Sequence, residues 1–136
     1  MGISKINLDG TTYEITPEPH GHQWIEVKPT NGTVTTVTNS YCAYSTELGL
    51  GVIRMTVKVT PTSEITNGTS IVAATISGDI VPDFVCPLAT STGSTNSRRW
   101  NAWINSSGQI CIRPNASLPT GADYNVYICG TYPMDV

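Results

Sequence analysis

The chain has 136 residues and a formal net charge of -3, a length that fits one domain around a single core. Charged residues are only 12% and apolar residues 39% of it. The balance is Thr, Ser, Asn and Gly, which suits polar-faced β-strands joined by turns. The pI lies near 5.1 and Arg98-Arg99 is the only adjacent basic pair, so nucleic acid is not an expected partner, because phosphate binding needs clustered Lys and Arg.

ISKINLDGTTYEI reads as a hairpin turning at Asp9-Gly10, the pair that suits a two-residue type I′ turn. Pairing outward from it sets Lys5 against Glu14 and Ile6 against Tyr13, charge with charge and apolar with apolar. TPEPHGH, Thr16 to His22, breaks the pattern with two prolines and a glycine, as a linker or surface loop does. Strands follow at sandwich-like spacing: WIEVKP, the turn Asn31-Gly32, then TVTTVT. YCAYSTELGLG reads as a strand running into a glycine-rich loop.

GVIRMTVKVTP alternates most cleanly, with Ile53, Met55, Val57 and Val59 on one face and Arg54, Thr56, Lys58 and Thr60 on the other. SEITNG turns the chain and SIVAATI is a buried strand. SGDIVPDFVCPLATSTGSTNS is a strand interrupted by prolines, with a polar tail. In RRWNAWINSSGQICIRP, a three-residue loop Ser106-Ser107-Gly108 sets Ile104 against Ile110 and Ala102 against Ile112. That register keeps one face apolar, and Gly108 supplies the left-handed position the loop needs. The last strand, ADYNVYICGTYP, turns Tyr124, Val126 and Ile128 inward, with Asn125, Tyr127, Cys129 and Thr131 outward. The expected architecture is an all-β antiparallel sandwich or jelly roll preceded by a short N-terminal β-hairpin.

No apolar run is long enough to cross a membrane, and MGISKINLDG lacks the charged-then-apolar layout of a secretory signal. The four cysteines, Cys42, Cys86, Cys111 and Cys129, form no C-x-x-C, so a structural zinc site is not expected. A chain without an export signal folds in reducing conditions, which favours free, partly buried thiols. A Cys111–Cys129 bridge is the alternative if their strands are adjacent. His20 and His22 could pair on a metal only across an oligomer and read more simply as surface histidines. The sequons at Asn31, Asn67, Asn105 and Asn115 matter only in a glycosylating host.

Catalytic signatures are missing. There is no nucleophile elbow, no H-E-x-x-H and no phosphate loop, and the carboxylates are scattered at turns, with Asp79 and Asp83 flanking Pro82. No enzyme activity and no cofactor is expected. The stronger lead is a polar sheet face carrying Arg99, Asn101, Trp103, Arg113, Asn125 and Tyr127. An aromatic ring takes the C–H face of a sugar, and amides or guanidinium groups bond its hydroxyls. Trp, Tyr and Arg are equally the residues of subunit interfaces, and a third reading is a wet sheet face with one snorkelling tryptophan. The thiols of Cys111 and Cys129, placed on the same face, favour burial between chains.

GVIRMTVKV, SIVAATISGDIVP and AWINSSGQICIRPNASLPTGADYNVYICGTYP together resemble the C-terminal head domain of phage tail fibres and receptor-binding proteins. Gly51, Pro82, Ala102, Ile104, Gly108, Ile110, Ile112 and Tyr132 occupy the corresponding places. ISKINLDGTTYEI resembles short hairpins of tail proteins from phages and prophages of Gram-positive gut bacteria. The resemblance implies residues 1–19 as hairpin and linker and 20–136 as a β-sandwich head. It implies a homotrimer in the virion tail, folded in the bacterial cytoplasm and acting outside it, in contact with other tail proteins. Its ligand would be a cell-surface polysaccharide or teichoic acid. The alternatives are a secreted monomeric carbohydrate-binding module and a purely structural tail adaptor.

Overall fold

The computed structural model describes residues 4–15, 21–23, 33–36, 40–45, 47–76, 80–92 and 99–134. Among these the chain is all-β and antiparallel. The strands are β1 Ser4–Leu8, β2 Thr11–Ile15, β3 Gly21–Gln23, β4 Val34–Thr36, β5 Tyr41–Ser45 and β6 Leu50–Val59, followed by β7 Ile71–Thr75, β8 Cys86–Thr92, β9 Trp100–Ile104, β10 Gln109–Pro114 and β11 Tyr124–Pro133.

β1 and β2 form a sheet of their own in the expected register, Lys5 opposite Glu14 and Ile6 opposite Tyr13. Asp9 and Gly10 both have positive φ, 51° and 81°, as a type I′ turn requires. The expected strand WIEVKP and the turn Asn31-Gly32 lie outside the described residues, except that the strand's neighbour Gln23 closes β3. Gly21 and His22, read as part of a linker or loop, are instead paired with Tyr44 and Ala43 of β5. The two prolines that signalled a break precede them, so the strand starts once the last proline is passed.

The remaining strands form one curled sheet in the order β3-β5-β6-β11-β8-β9-β10-β7, with β4 beside the far end of β6. β8 makes the curl. Its first residues, Cys86 to Leu88, pair with β9, whereas Ala89 to Thr92 pair with β11. One strand thus belongs to two layers, and the inner faces of those layers close on a single core, as in a β-sandwich. That core takes Ile53, Met55, Val57 and Val59 from β6, Val126 and Ile128 from β11, and Ile104, Ile110 and Ile112 from the hairpin. All were assigned inward by alternation alone. Trp100 joins them on the same side as Ala102 and Ile104. Its buried indole N–H has no acceptor among the described residues, and an unmatched buried donor costs about 1–3 kcal/mol.

Between β7 and β10 the pairing jumps from Ala74–Ile110 to Val72–Cys111. Ala73 is therefore the extra residue of a β-bulge. Ala73 and Ala74 are both fully buried, and two consecutive inward residues fit there because both are small.

The β9–β10 hairpin has the three-residue loop, with Ile104 opposite Ile110 and Ala102 opposite Ile112. Asn105 locks it: its side-chain oxygen accepts the N–H groups of Ser107 and Gln109, each at 3.0 Å, and its amide donates to Gln109 Oε1 at 2.9 Å. Gly108 sits at φ 77° and donates to Asn105 O, while its carbonyl accepts the Ile76 N–H at 2.8 Å. A β-carbon there would stand 2.5 Å from Ile76 O. Gly108→Ala combines backbone strain with a clash against backbone and should cost about 2 kcal/mol or more. Urea titration checks this; Gly121→Ala, also at positive φ but with open space around it, should cost visibly less.

Candidate functional site

Trp103 reaches the outer face because its neighbours Ala102 and Ile104 are drawn into the core. Across the strands it stands between Pro87 of β8 and Cys111 of β10, and Cys111 stands opposite Val72 of β7. These four residues make an apolar row across β8, β9, β10 and β7. Cys111 is only 6% exposed within the single chain. The guanidinium carbon of Arg113 lies 5.5 Å from the centroid of the Trp103 ring, within cation–π range. Asn101 is exposed and pairs with Arg113 across the hairpin. Arg99 is exposed next to it, its carbonyl accepting the Asn115 N–H at 2.9 Å. Arg99, Asn101, Trp103 and Arg113 therefore do come together.

Asn125 and Tyr127 do not join them. Both point outward as expected, but β8 separates β11 from β9. Asn125 stands opposite Lys58, and Tyr127 lies between Thr56 and Ser91. The expectation that Cys111 and Cys129 share one face and need burial between chains is likewise corrected. Cys111 is covered by its own chain, and Cys129 is exposed on β11. All four thiols are free, and β10 and β11 are not neighbours, so the Cys111–Cys129 bridge does not form. The physical reason is the chain's path: after β10 it crosses to the other layer before forming β11.

Tyr127 belongs to a second and larger concavity, an open groove of ≈ 840 Å³ over β6, β11 and β8. Tyr41, Arg54, Cys129 and Ala89 stand side by side across its floor, and Thr56, Tyr127 and Ser91 form the next row. Tyr127 is 44% exposed. Arg54 and Cys129 were missed as site residues although alternation had already turned both outward. The missing knowledge was that β6 and β11 pair. Two smaller depressions adjoin the groove, one beside Trp103 and one beside Arg99, and Thr90 lines all three. Among the described residues no Asp or Glu lines any of them.

His20 and Asp79 lie outside the described residues, His22 is in β3, and Asp83 is exposed in the loop before β8. Among the described residues no group of three or more His, Cys, Asp or Glu is placed to hold a metal.

A buried polar cluster lies behind the groove. Tyr132 is fully buried, and its hydroxyl donates to Ile80 O at 2.6 Å. The phenol has one proton, so the Cys42 thiol, 3.5 Å away, is left to donate to the phenol oxygen. Burial raises the thiol of Cys42, against a smaller lowering by Tyr132, and burial raises Cys111 as well. Burial, then the Cys42 contact, raises the Tyr132 hydroxyl far above its ordinary value.

These groups lose their protons more easily in the unfolded chain than in the folded one. Their contribution to stability is therefore whole below the ordinary thiol value of 9.0. It shrinks as pH rises past 9.0 and again past the ordinary tyrosine value of 10.0, until the folded groups themselves titrate. The melting temperature should hold steady from pH 7 to about 8.5 and fall above it. Cys42→Ala should flatten the first part of that fall. In comparisons with known proteins, the chain matches no family model and no curated relative.

Proposed function

We propose that the chain is a non-enzymatic phage or prophage tail component, a trimeric receptor-binding head whose outer face recognises a bacterial cell-surface glycan. One observation carries this reading: Trp103 is held on the outside by the alternation of β9, with Arg113 stacked over its ring at 5.5 Å and Asn101 beside it. A stacked guanidinium keeps the indole in one orientation, and the exposed amide supplies hydroxyl-bonding groups at its rim. The sequence resemblance to tail-fibre heads supplies the biological setting, the trimer and the place in the virion tail.

A specific feature favours the subunit seam as the second reading. Phe84 and Val85 are each 59% exposed, and Val85 and Pro87 line the depression beside Trp103. Apolar side chains of that size next to an aromatic are what a partner subunit covers. Light scattering together with binding to host cell walls separates the readings. A trimer that binds cell walls supports the proposal. A trimer that binds none points to a structural adaptor, and a monomer that binds points to a carbohydrate-binding module.

A further inference from the structure

We propose that the groove over β6, β11 and β8 is a second subsite, which takes a negatively charged group on the same extended, hydroxyl-rich chain that stacks on Trp103. The inference rests on the glycan-binding reading above and goes beyond it in place and in chemistry.

The protein is acidic, with a net charge of -3, yet its outer face carries Arg54, Arg99 and Arg113 while no Asp or Glu among the described residues lines the three depressions. Arg54 and Arg99 are exposed, and cross-strand register places Arg54 between Tyr41 and Cys129 rather than against an acid. With no Asp or Glu lining the groove among the described residues, Arg54 offers two parallel donors to a phosphate or carboxylate.

Tyr127 offers an exposed ring one row from Arg54, as Trp103 offers one beside Arg113. Each platform thus pairs one aromatic ring with one arginine. Trp103 stands opposite Pro87 and Tyr127 opposite Ser91 on the same strand β8. The path between them follows β8 around its bend at Leu88–Ala89, over two strand spacings and four residues, roughly 16 Å of contour. Thr90 borders all the depressions on that path, so one chain of a few sugar or polyol units that follows the bend can reach both rings.

Cys129 provides a native reporter for the groove. It is exposed, whereas Cys42, Cys86 and Cys111 are buried, so mild alkylation with N-ethylmaleimide reads the groove floor. The probes are poly(glycerol phosphate), polygalacturonate oligomers and neutral dextran oligomers, with tryptophan fluorescence reporting the Trp103 platform in parallel. The expected result is that an anionic probe slows Cys129 alkylation in proportion to its occupancy. Arg54→Gln should weaken that probe about tenfold and leave dextran unchanged, and Tyr127→Ala should weaken it too. Phosphate and carboxylate sources are distinguished by which of the two anionic polymers protects Cys129.

Binding that quenches tryptophan but leaves Cys129 alkylation and the Arg54→Gln affinity unaltered would overturn the second subsite while leaving the Trp103 reading standing. Preference for neutral dextran would overturn the charge argument. If none of the probes binds, the subsite and the reading it rests on both fall.

Discussion

Trp103→Ala is expected to weaken binding to the bacterial surface polymer about thirtyfold, equivalent to about 2 kcal/mol, with little change in the protein's own melting temperature. The small stability effect follows from the strand. Trp103 is half-buried on the outside, while the core contacts of β9 come from Trp100, Ala102 and Ile104. What the fold loses is the stacking of Arg113, about 0.5–1 kcal/mol, and part of the cover over Cys111. What the ligand loses is the flat aromatic surface beside the Asn101 and Arg113 donors. Arg113→Ala should cost less than Trp103→Ala for a neutral glycan. For a phosphate-bearing polymer it should cost more, and added salt should weaken binding as well. Oligomer mass must be measured on the same variant. Lost binding with unchanged mass supports the sugar platform, and lost mass assigns Trp103 to the subunit seam. If Trp103→Ala changes neither, the proposed site is wrong.

The largest effect on stability is expected at Gly51. This glycine stands opposite Tyr132 at the start of β6, and a β-carbon on it would lie 2.2 Å from Tyr132 Cζ. The tyrosine ring cannot swing aside cheaply, since it is fully buried and its hydroxyl is held by Ile80 O and approached by Cys42. Overpacking adds about 1–3 kcal/mol, and loss of the buried hydrogen bond about 1 kcal/mol. Gly51→Ala should therefore lower the melting temperature on the order of 10 °C. Tyr132→Leu removes the atoms that the new methyl meets, so the double variant should cost clearly less than the two single changes added together. A melting temperature within about 2 °C of the parent for Gly51→Ala would show that the Tyr132 ring does not pack against Gly51.

These two residues also mark where reading the chain succeeds and where it stops. Gly51 and Tyr132 were both singled out as matching places in a family pattern, but their contact spans the whole length from the β5–β6 turn to the chain's last strand. Local rules settle what lies near in sequence. Alternation turned Ile53, Met55, Val57 and Val59 inward because a strand's side chains alternate with a period of two. Asp9-Gly10 and Gly108 were legible because few residues tolerate positive φ, and the hairpin register followed from keeping Ala102, Ile104, Ile110 and Ile112 on one side.

Neighbourhood between distant strands is a different quantity, and periodicity carries no information about it. Alternation says which way Arg54 and Tyr127 point, not that β6 lies beside β11. Nor does it say that β8 divides itself between two layers at Leu88–Ala89 and so parts Tyr127 from Trp103. Those pairings are selected by how the inner faces of all the strands fill one core, a condition on the assembled chain rather than on any stretch of it. Residue by residue, the sequence determined the inward and outward sides and the turns. The tertiary structure decided which outward residues share a surface, because only closing the sheet brings strands far apart in the chain side by side.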